Sequence, residues 1–277
     1  MIRKSIFEIR DSEYNKQHEF RIIIDLFFKP IFILDNSNPY DIVNNKLLAT
    51  IEKIIDTHCF YSWKQRGHCL DTSDFKEKIG LHKLLDEINI IASLEYICNM
   101  IYLADMKLPA SVELYRDKYE LLKGNIDILL EHLNYEKHVF EKEEKVLLIP
   151  KNPMATSIAE ISPEDTAKAI FQYNHESLKG NLEDKREILR RIAKEYETIL
   201  NNPDPSILKS YCRDAKWALN NLDIRHNNME KVFMRNLSHE ELEKLYDALY
   251  ELLLFCIQGQ KKGHLQIISK FKKKVES

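Results

Sequence analysis

Ser238-His-Glu-Glu-Leu-Glu-Lys-Leu-Tyr-Asp-Ala-Leu-Tyr-Glu-Leu-Leu-Leu-Phe-Cys-Ile257 decides the fold class. Ser238 and Glu241 have the spacing of a capping box, in which hydroxyl and carboxylate each take a backbone N–H that the first helical turn leaves unpaired. Leu242, Leu245, Leu249, Leu252, Leu253 and Cys256 then recur at three and four positions, the period of a helix with one apolar face. Such a stripe is buried against other helices, and the preceding segments supply them. Ser162-Pro-Glu-Asp165 offers a capping hydroxyl, a Pro suited to the first helical position and acids for the first turn, so a helix is expected from about 163 to Gly180. A second, over 182–201, carries Leu189, Ile192, Tyr196 and Ile199 on one side and stops before Asn201-Asn-Pro-Asp-Pro205. A third runs from about Pro205 towards Asn227 with Leu208, Tyr211, Ala215, Leu219 and Leu222 facing inwards. Four antiparallel helices with short links make a bundle.

Upstream the reading is again mainly α. Helices are expected over 41–57, from Asp71-Thr-Ser-Asp74 through Ile101, and from Ser111 to about Asn134 with Gly124 as a point of weakness. The period changes at Tyr135-Glu-Lys-His-Val-Phe-Glu141 and Lys145-Val-Leu-Leu-Ile149, which flank a charged turn and predict one short β-hairpin near 137–149. Residues 10–34 suit a buried helix or strands; helix is favoured, and Pro30 breaks either. The expected fold is all-α in the main, with a helical region over 1–135 and an antiparallel bundle over 136–277.

Composition excludes several classes. The chain has 277 residues, enough for two modest domains, and its 44% hydrophobic and 31% charged content is that of a globular protein. It has only 6 Gly, with no G-x-G-x-x-G or phosphate-loop pattern, which argues against a nucleotide-binding α/β fold. Five Cys without a C-x-x-C pair do not form a disulfide framework, no apolar run approaches a membrane span, and the first residues lack a signal-type block. A cytoplasmic protein without membrane association is the expectation. Residues 1–150 hold 20 Lys/Arg against 25 Asp/Glu, net −5, and residues 151–277 hold 21 against 19, net +2. Lys261, Lys262, Lys270, Lys272, Lys273 and Lys274 concentrate the positive charge in a tail that suits either solvent or phosphate.

The most unusual polar cluster is Asn220-Asn-Leu-Asp-Ile-Arg-His-Asn-Asn228. If helix persists through it, Arg225 and His226 lie three and four residues beyond Leu222, near the edge of the core-facing stripe, with Asn221 one turn below. A permanent cation, an imidazole titrating near neutrality and several amides are what metal-free RNA cleavage uses. The 2′-hydroxyl needs a base, the leaving oxygen an acid, and the phosphorane positive charge. Equally, a basic pair followed by Asn-Asn is how helices end. His58-Cys59 and His68-Cys69 do not have the spacing of zinc knuckles, so no metal or cofactor is expected. Cys98, Cys212 and Cys256 sit on apolar faces and read as small buried hydrophobes, and Trp63 and Trp217 as packing residues before base-stacking ones.

Ile149-Pro-Lys-Asn-Pro-Met-Ala-Thr156, Tyr173-Asn-His-Glu-Ser-Leu-Lys-Gly180, Lys185-Arg-Glu-Ile-Leu189, Asn220 to Asn228 and Leu242-Glu-Lys-Leu-Tyr-Asp247 together resemble bacterial abortive-infection-type helical proteins, whose carboxy-terminal bundle looks like a HEPN domain. The resemblance covers about residues 115–260. It implies an all-α bundle that pairs as a homodimer, works beside a cognate defence-system partner, and carries a metal-independent endoribonuclease site of a phage-defence or toxin system. Arg225 would stabilise phosphate charge and His226 transfer protons, with Asn221, Asn227, Asn228 and His175 contacting RNA. The second His of the HEPN pattern is missing, since Asn227 to Val232 supply none and Arg235-Asn-Leu-Ser-His239 is too closely spaced. A non-catalytic RNA-binding or sensor module, or a structural interaction protein, therefore remains open at this stage.

Overall fold

The computed structural model describes residues 14–28, 87–107, 116–203, 208–225 and 236–261. Among these the chain is mainly α, with one two-stranded antiparallel sheet, and it divides into two compact units, 1–148 and 149–277. The division falls within the second strand of the hairpin, after Leu148, whereas the sequence placed it before the hairpin, at 135/136. Val146 and Leu148 of the second strand belong to the first unit's core, and that packing assigns the hairpin. The helix expected over 41–57, the start of the one expected after Asp74, the His-Cys pairs, Trp63 and the lysine-rich tail after Lys261 lie outside the described residues.

In the first unit, helix α1 (Lys16–Phe28) directs Phe20, Ile23, Ile24 and Phe27 inward at helical spacing, and Asn15 Oδ1 accepts the His18 N–H at 3.0 Å. The ambiguous aromatic stretch is therefore helix as far as Phe28, and residues 29–34 lie outside the described residues. α2 (Glu87–Lys107) is apolar on most sides, burying Ile90, Ile91, Leu94, Ile97, Met100, Ile101 and Ala104. α3 (Arg116–Leu133) packs on α1 and passes unbroken through Gly124, which faces open space while Leu122 and Ile126 on either side are buried in the core. The Tyr119 hydroxyl donates to the Ile101 carbonyl at 2.6 Å, tying α3 to α2.

Strands β1 (Tyr135–Phe140) and β2 (Lys145–Pro150) follow, joined through a 3₁₀ turn closed by left-handed Glu144. A lone hairpin is marginal in water. Here α2 stands in for a third strand: Asn99 accepts the Val146 N–H and donates to its carbonyl, each at 2.8 Å, and Glu95 accepts the Leu148 N–H at 2.8 Å. These side chains satisfy an edge that would otherwise expose its backbone groups.

In the second unit, α4 (Pro153–Ala159) is a short helix that the sequence reading missed, although Asn152-Pro153 is a start signal: Asn152 Oδ1 accepts the Ala155 N–H at 3.1 Å, with Pro in the first turn. α5 (Glu164–Tyr173) begins as expected, but Pro163 occupies the cap position, and the Ser162 hydroxyl instead donates to the Ile158 carbonyl at 2.6 Å and meets the Tyr196 hydroxyl. α5 ends seven residues short of Gly180, whose φ of 74° closes a 3₁₀ turn over Glu176–Leu178.

The second expected helix is two, α6 (Leu182–Glu195, capped by Asn181) and α7 (Glu197–Asn201), hinged at Tyr196. α8 (Lys209–Asn221) buries Cys212, Ala215 and Leu219, and α9 (His239–Lys261) buries Leu242, Tyr246, Leu249, Tyr250, Leu253, Leu254, Cys256 and Ile257. Ser238 and Glu241 form the expected capping box, at 3.2 and 2.8 Å. Tyr211 and Leu245, expected inside, are exposed because the buried stripes run through Cys212 and Tyr246 instead; Tyr211 lies edge-on to the exposed Phe255 at 5.1 Å. α8 and α9 run antiparallel, with Leu208 opposite Gly259 at one end and Leu222 opposite Tyr246 at the other. A Cβ at Gly259 would stand 3.0 Å from Leu208, so glycine permits that close approach. Cys98, Cys212 and Cys256 are free and buried, as their apolar spacing suggested. No helix among the described residues is long and apolar enough to cross a membrane.

Candidate functional site

Two polar constellations grow from adjacent residues of α6, Lys185 and Arg186, which a helix rotates about 100° apart. They therefore serve different faces of the second unit.

Lys185 sits on the apolar stripe with Ile188, Leu189 and Ile192 and is only 4% exposed. A buried ammonium needs compensating charge. Its Nζ donates to Asp247 Oδ1 at 2.7 Å and lies 2.8 Å from Glu243 Oε1. Asp247 also accepts the Tyr173 hydroxyl at 2.9 Å, and Glu243 the Gly180 N–H at 2.7 Å. The Tyr173 ring stacks on Tyr250 at 4.1 Å, and Asn174 Nδ2 donates to the Tyr250 hydroxyl, which donates to the Ile170 carbonyl. Burial and the facing Asp247 push the Tyr173 hydroxyl well above its ordinary value, and burial does the same for Tyr250, so both stay protonated donors. The hydrogen bond from Lys185 and the Gly180 N–H hold Glu243 below its ordinary carboxylate value.

Above this network lies a groove of about 660 Å³ whose walls include His175, Lys179, Glu240, Lys244 and Glu251. The charges of its lining nearly cancel: Lys179, Lys185 and Lys244 face Glu240, Glu243, Asp247 and Glu251. The inner polar atoms are paired, and Lys185 joins α6 to α9. Such a network is a strut with a wet surface; it does not make a polyanion track.

The second constellation is at the end of α8. Helix does not persist to Arg225: it stops at Asn221, and Asp223 turns into the left-handed region at φ 60°. An Asp tolerates that conformation better than most side chains. The turn is held at every residue. Tyr246 donates to the Leu222 carbonyl at 3.1 Å, Arg186 Nη1 to Asp223 Oδ2 at 2.7 Å, Arg190 Nε to the Ile224 carbonyl at 3.0 Å, and the Arg225 N–H returns to the Leu219 carbonyl at 3.0 Å. Asp223 is 4% exposed, so its carboxylate is compensated chiefly by Arg186. Burial raises the Tyr246 hydroxyl to about 12, with the Asp223 carboxylate adding to the rise, and keeps it a donor. The Arg225 guanidinium is 22% exposed, and among the described residues it meets a long 3.6 Å contact from Nη2 to Glu197 Oε1.

The sequence candidates thus separate. Arg225 is presented by the clamped turn. Asn221 is the last residue of α8, its amide donating to the Trp217 carbonyl at 2.7 Å, with the Trp217 ring exposed. His175 opens the 3₁₀ turn, its Nδ1 accepting the Ser177 N–H at 3.2 Å, and faces the groove, whose lining includes neither Arg225 nor Asn221. His175 and Arg225 thus belong to different constellations. His226, Asn227 and Asn228 lie outside the described residues.

Sequence reasoning passed over Lys185, Asp247, Asp223, Arg186 and Arg190. The available signal was a charge inside an apolar period, as at Lys185 between Leu182 and Ile188, or Asp223 between Leu222 and Ile224. No cluster of His, Cys, Asp and Glu suited to a metal ion occurs among the described residues. No family model, curated protein or solved structure matches the chain.

Proposed function

We propose that the second unit is an RNA-engaging bundle of HEPN type and that the chain acts as a metal-independent endoribonuclease in bacterial defence. What supports this reading is the Leu222–Arg225 turn. Backbone in the left-handed region is clamped by α6, α8 and α9 so that a partly exposed guanidinium, paired among the described residues through one long contact, is held immediately before His226 in the chain. Strain held by surrounding structure is characteristic of functional positions. Preorganised positive charge is what a phosphorane needs, since it costs no reorganisation when the charge develops.

In this reading the 2′-hydroxyl of a ribose attacks its own 3′-phosphate, losing its proton to a base. The P–O5′ bond breaks, and the leaving oxygen takes a proton from an acid. The ends are a 2′,3′-cyclic phosphate and a 5′-hydroxyl. Arg225 stabilises the phosphorane and His226 carries one of the proton transfers.

Incubating purified chain with total RNA in EDTA tests it, with Arg225→Ala and His226→Ala beside the wild type and a melting curve for each. Cleavage by wild type alone, at equal melting temperatures, is the expected result, with cyclic-phosphate ends on the fragments. RNA retained without cleavage would replace the enzyme by a binding module. Variants that only melt early would leave the turn a helix terminus and nothing more.

A further inference from the structure

The turn lies along α6 in register: Asp223 meets Arg186, Ile224 meets Arg190, and Arg225 meets Glu197 just beyond the helix. Arg186, Arg190 and Lys194 follow one another at i, i+4 and i+8, so they share an edge of α6, with neighbouring side chains about 5–6 Å apart. Arg190 and Lys194 are exposed, and Arg186 is partly so. Arg186 spends Nη1 on Asp223 and has its Nε buried, while Arg190 spends Nε on Ile224 and Nη1 on Glu187. Among the described residues, the Nη2 of each fork is thus left to meet an acceptor.

We infer that this edge, Arg186–Arg190–Lys194, continues the Arg225 position into a binding track for the sugar–phosphate backbone of single-stranded RNA. A row of cations at helical repeat, led to a fixed guanidinium, suits a chain of phosphates, which arginine engages through two nitrogens at once. Among the described residues, the carboxylates paired with this edge or with Arg225 are Asp223, Glu187 and Glu197. Asp223 is buried and committed to Arg186. Glu187 and Glu197 are exposed partners in surface pairs at 3.1 and 3.6 Å, which contribute little and yield to a phosphate. The inference rests on the RNA reading above, but not on catalysis.

Anisotropy of a labelled oligouridylate, titrated with full-length chain in EDTA over a range of salt, reads the track directly. Arg190→Gln/Lys194→Gln should weaken binding at low salt and lower the slope of log affinity against log salt by about 1.4, at about 0.7 per lost phosphate contact on a single strand. Lys209→Gln/Lys216→Gln removes the same charge from α8 and should leave the slope near wild type. Glu187→Gln/Glu197→Gln removes the competing carboxylates, leaves the anchor of Arg190 on Ile224 in place, and should tighten binding, which covers the case in which the first variant misfolds. An unchanged slope in the α6 variant, or an equal loss in the α8 control, overturns the track. Gels of the same mixtures separate the two proposals. Cleavage with an unchanged slope sinks the track alone, slope loss without any cleavage sinks the enzyme alone, and wild type that fails to bind at low salt sinks both.

Discussion

Lys185 shows how one side chain can be legible in sequence and still be passed over. It falls on the apolar stripe of α6, where a solvated lysine has no place, and the structure resolves the conflict with Asp247, Glu243 and the ring of Tyr173. Changing it to Met keeps the stem and removes the charge, leaving two carboxylates facing each other across an empty position. Breaking a fully buried pair costs about 3–5 kcal/mol. Asp247 is half exposed, so the cost of Lys185→Met should be nearer 2 kcal/mol, read as a lowered midpoint in urea. A midpoint within error of wild type would mean that the network does not hold α6 to α9. Asp223 is the parallel case: its type and its apolar neighbours were visible, but its φ and its partner 37 residues away were not.

Elements were most legible where their ends carry chemistry of their own. The start of α9 was read from Ser238 and Glu241, and both reciprocal hydrogen bonds are present. Ser238→Ala should therefore cost about 1 kcal/mol, measurable as a fall in melting temperature, and Ser238→Asp should restore most of it because aspartate accepts the same N–H. Equal stability of all three would show that the cap is idle. The hairpin was legible from its change of period, whereas its stabilisation by Glu95 and Asn99 was not, since Glu95 sits 53 positions from its partner Leu148 and Asn99 sits 47 from Val146. Helix ends set by tertiary contacts were misjudged. α8 stops at Asn221 because the four residues after it are taken by α6, α8 and α9, and nothing local forbids another turn.

At the scale of the whole molecule, the two units keep separate cores, and the carboxylates that tie the second together set its response to acid. Glu243 is held below its ordinary 4.5 by the hydrogen bond from Lys185 and by the Gly180 N–H, and Glu241 by its bonds to Ser238. A folded-state value below the unfolded one gives stability that is present above about pH 4.5 and is lost as pH falls through the folded value. Melting temperature should thus fall as pH drops below about 4.5, and Glu243→Gln should flatten that fall; an equal slope in the variant would assign acid sensitivity elsewhere. The sequence by itself determined that this protein is a helical bundle protein with one hairpin, because hydrophobic period, caps and punctuation are local properties of the chain. Which charges meet was decided only by tertiary structure. Lys185 and Asp247, or Arg186 and Asp223, are brought together by packing between elements distant in sequence, and a single chain's sequence carries no record of that distance being closed.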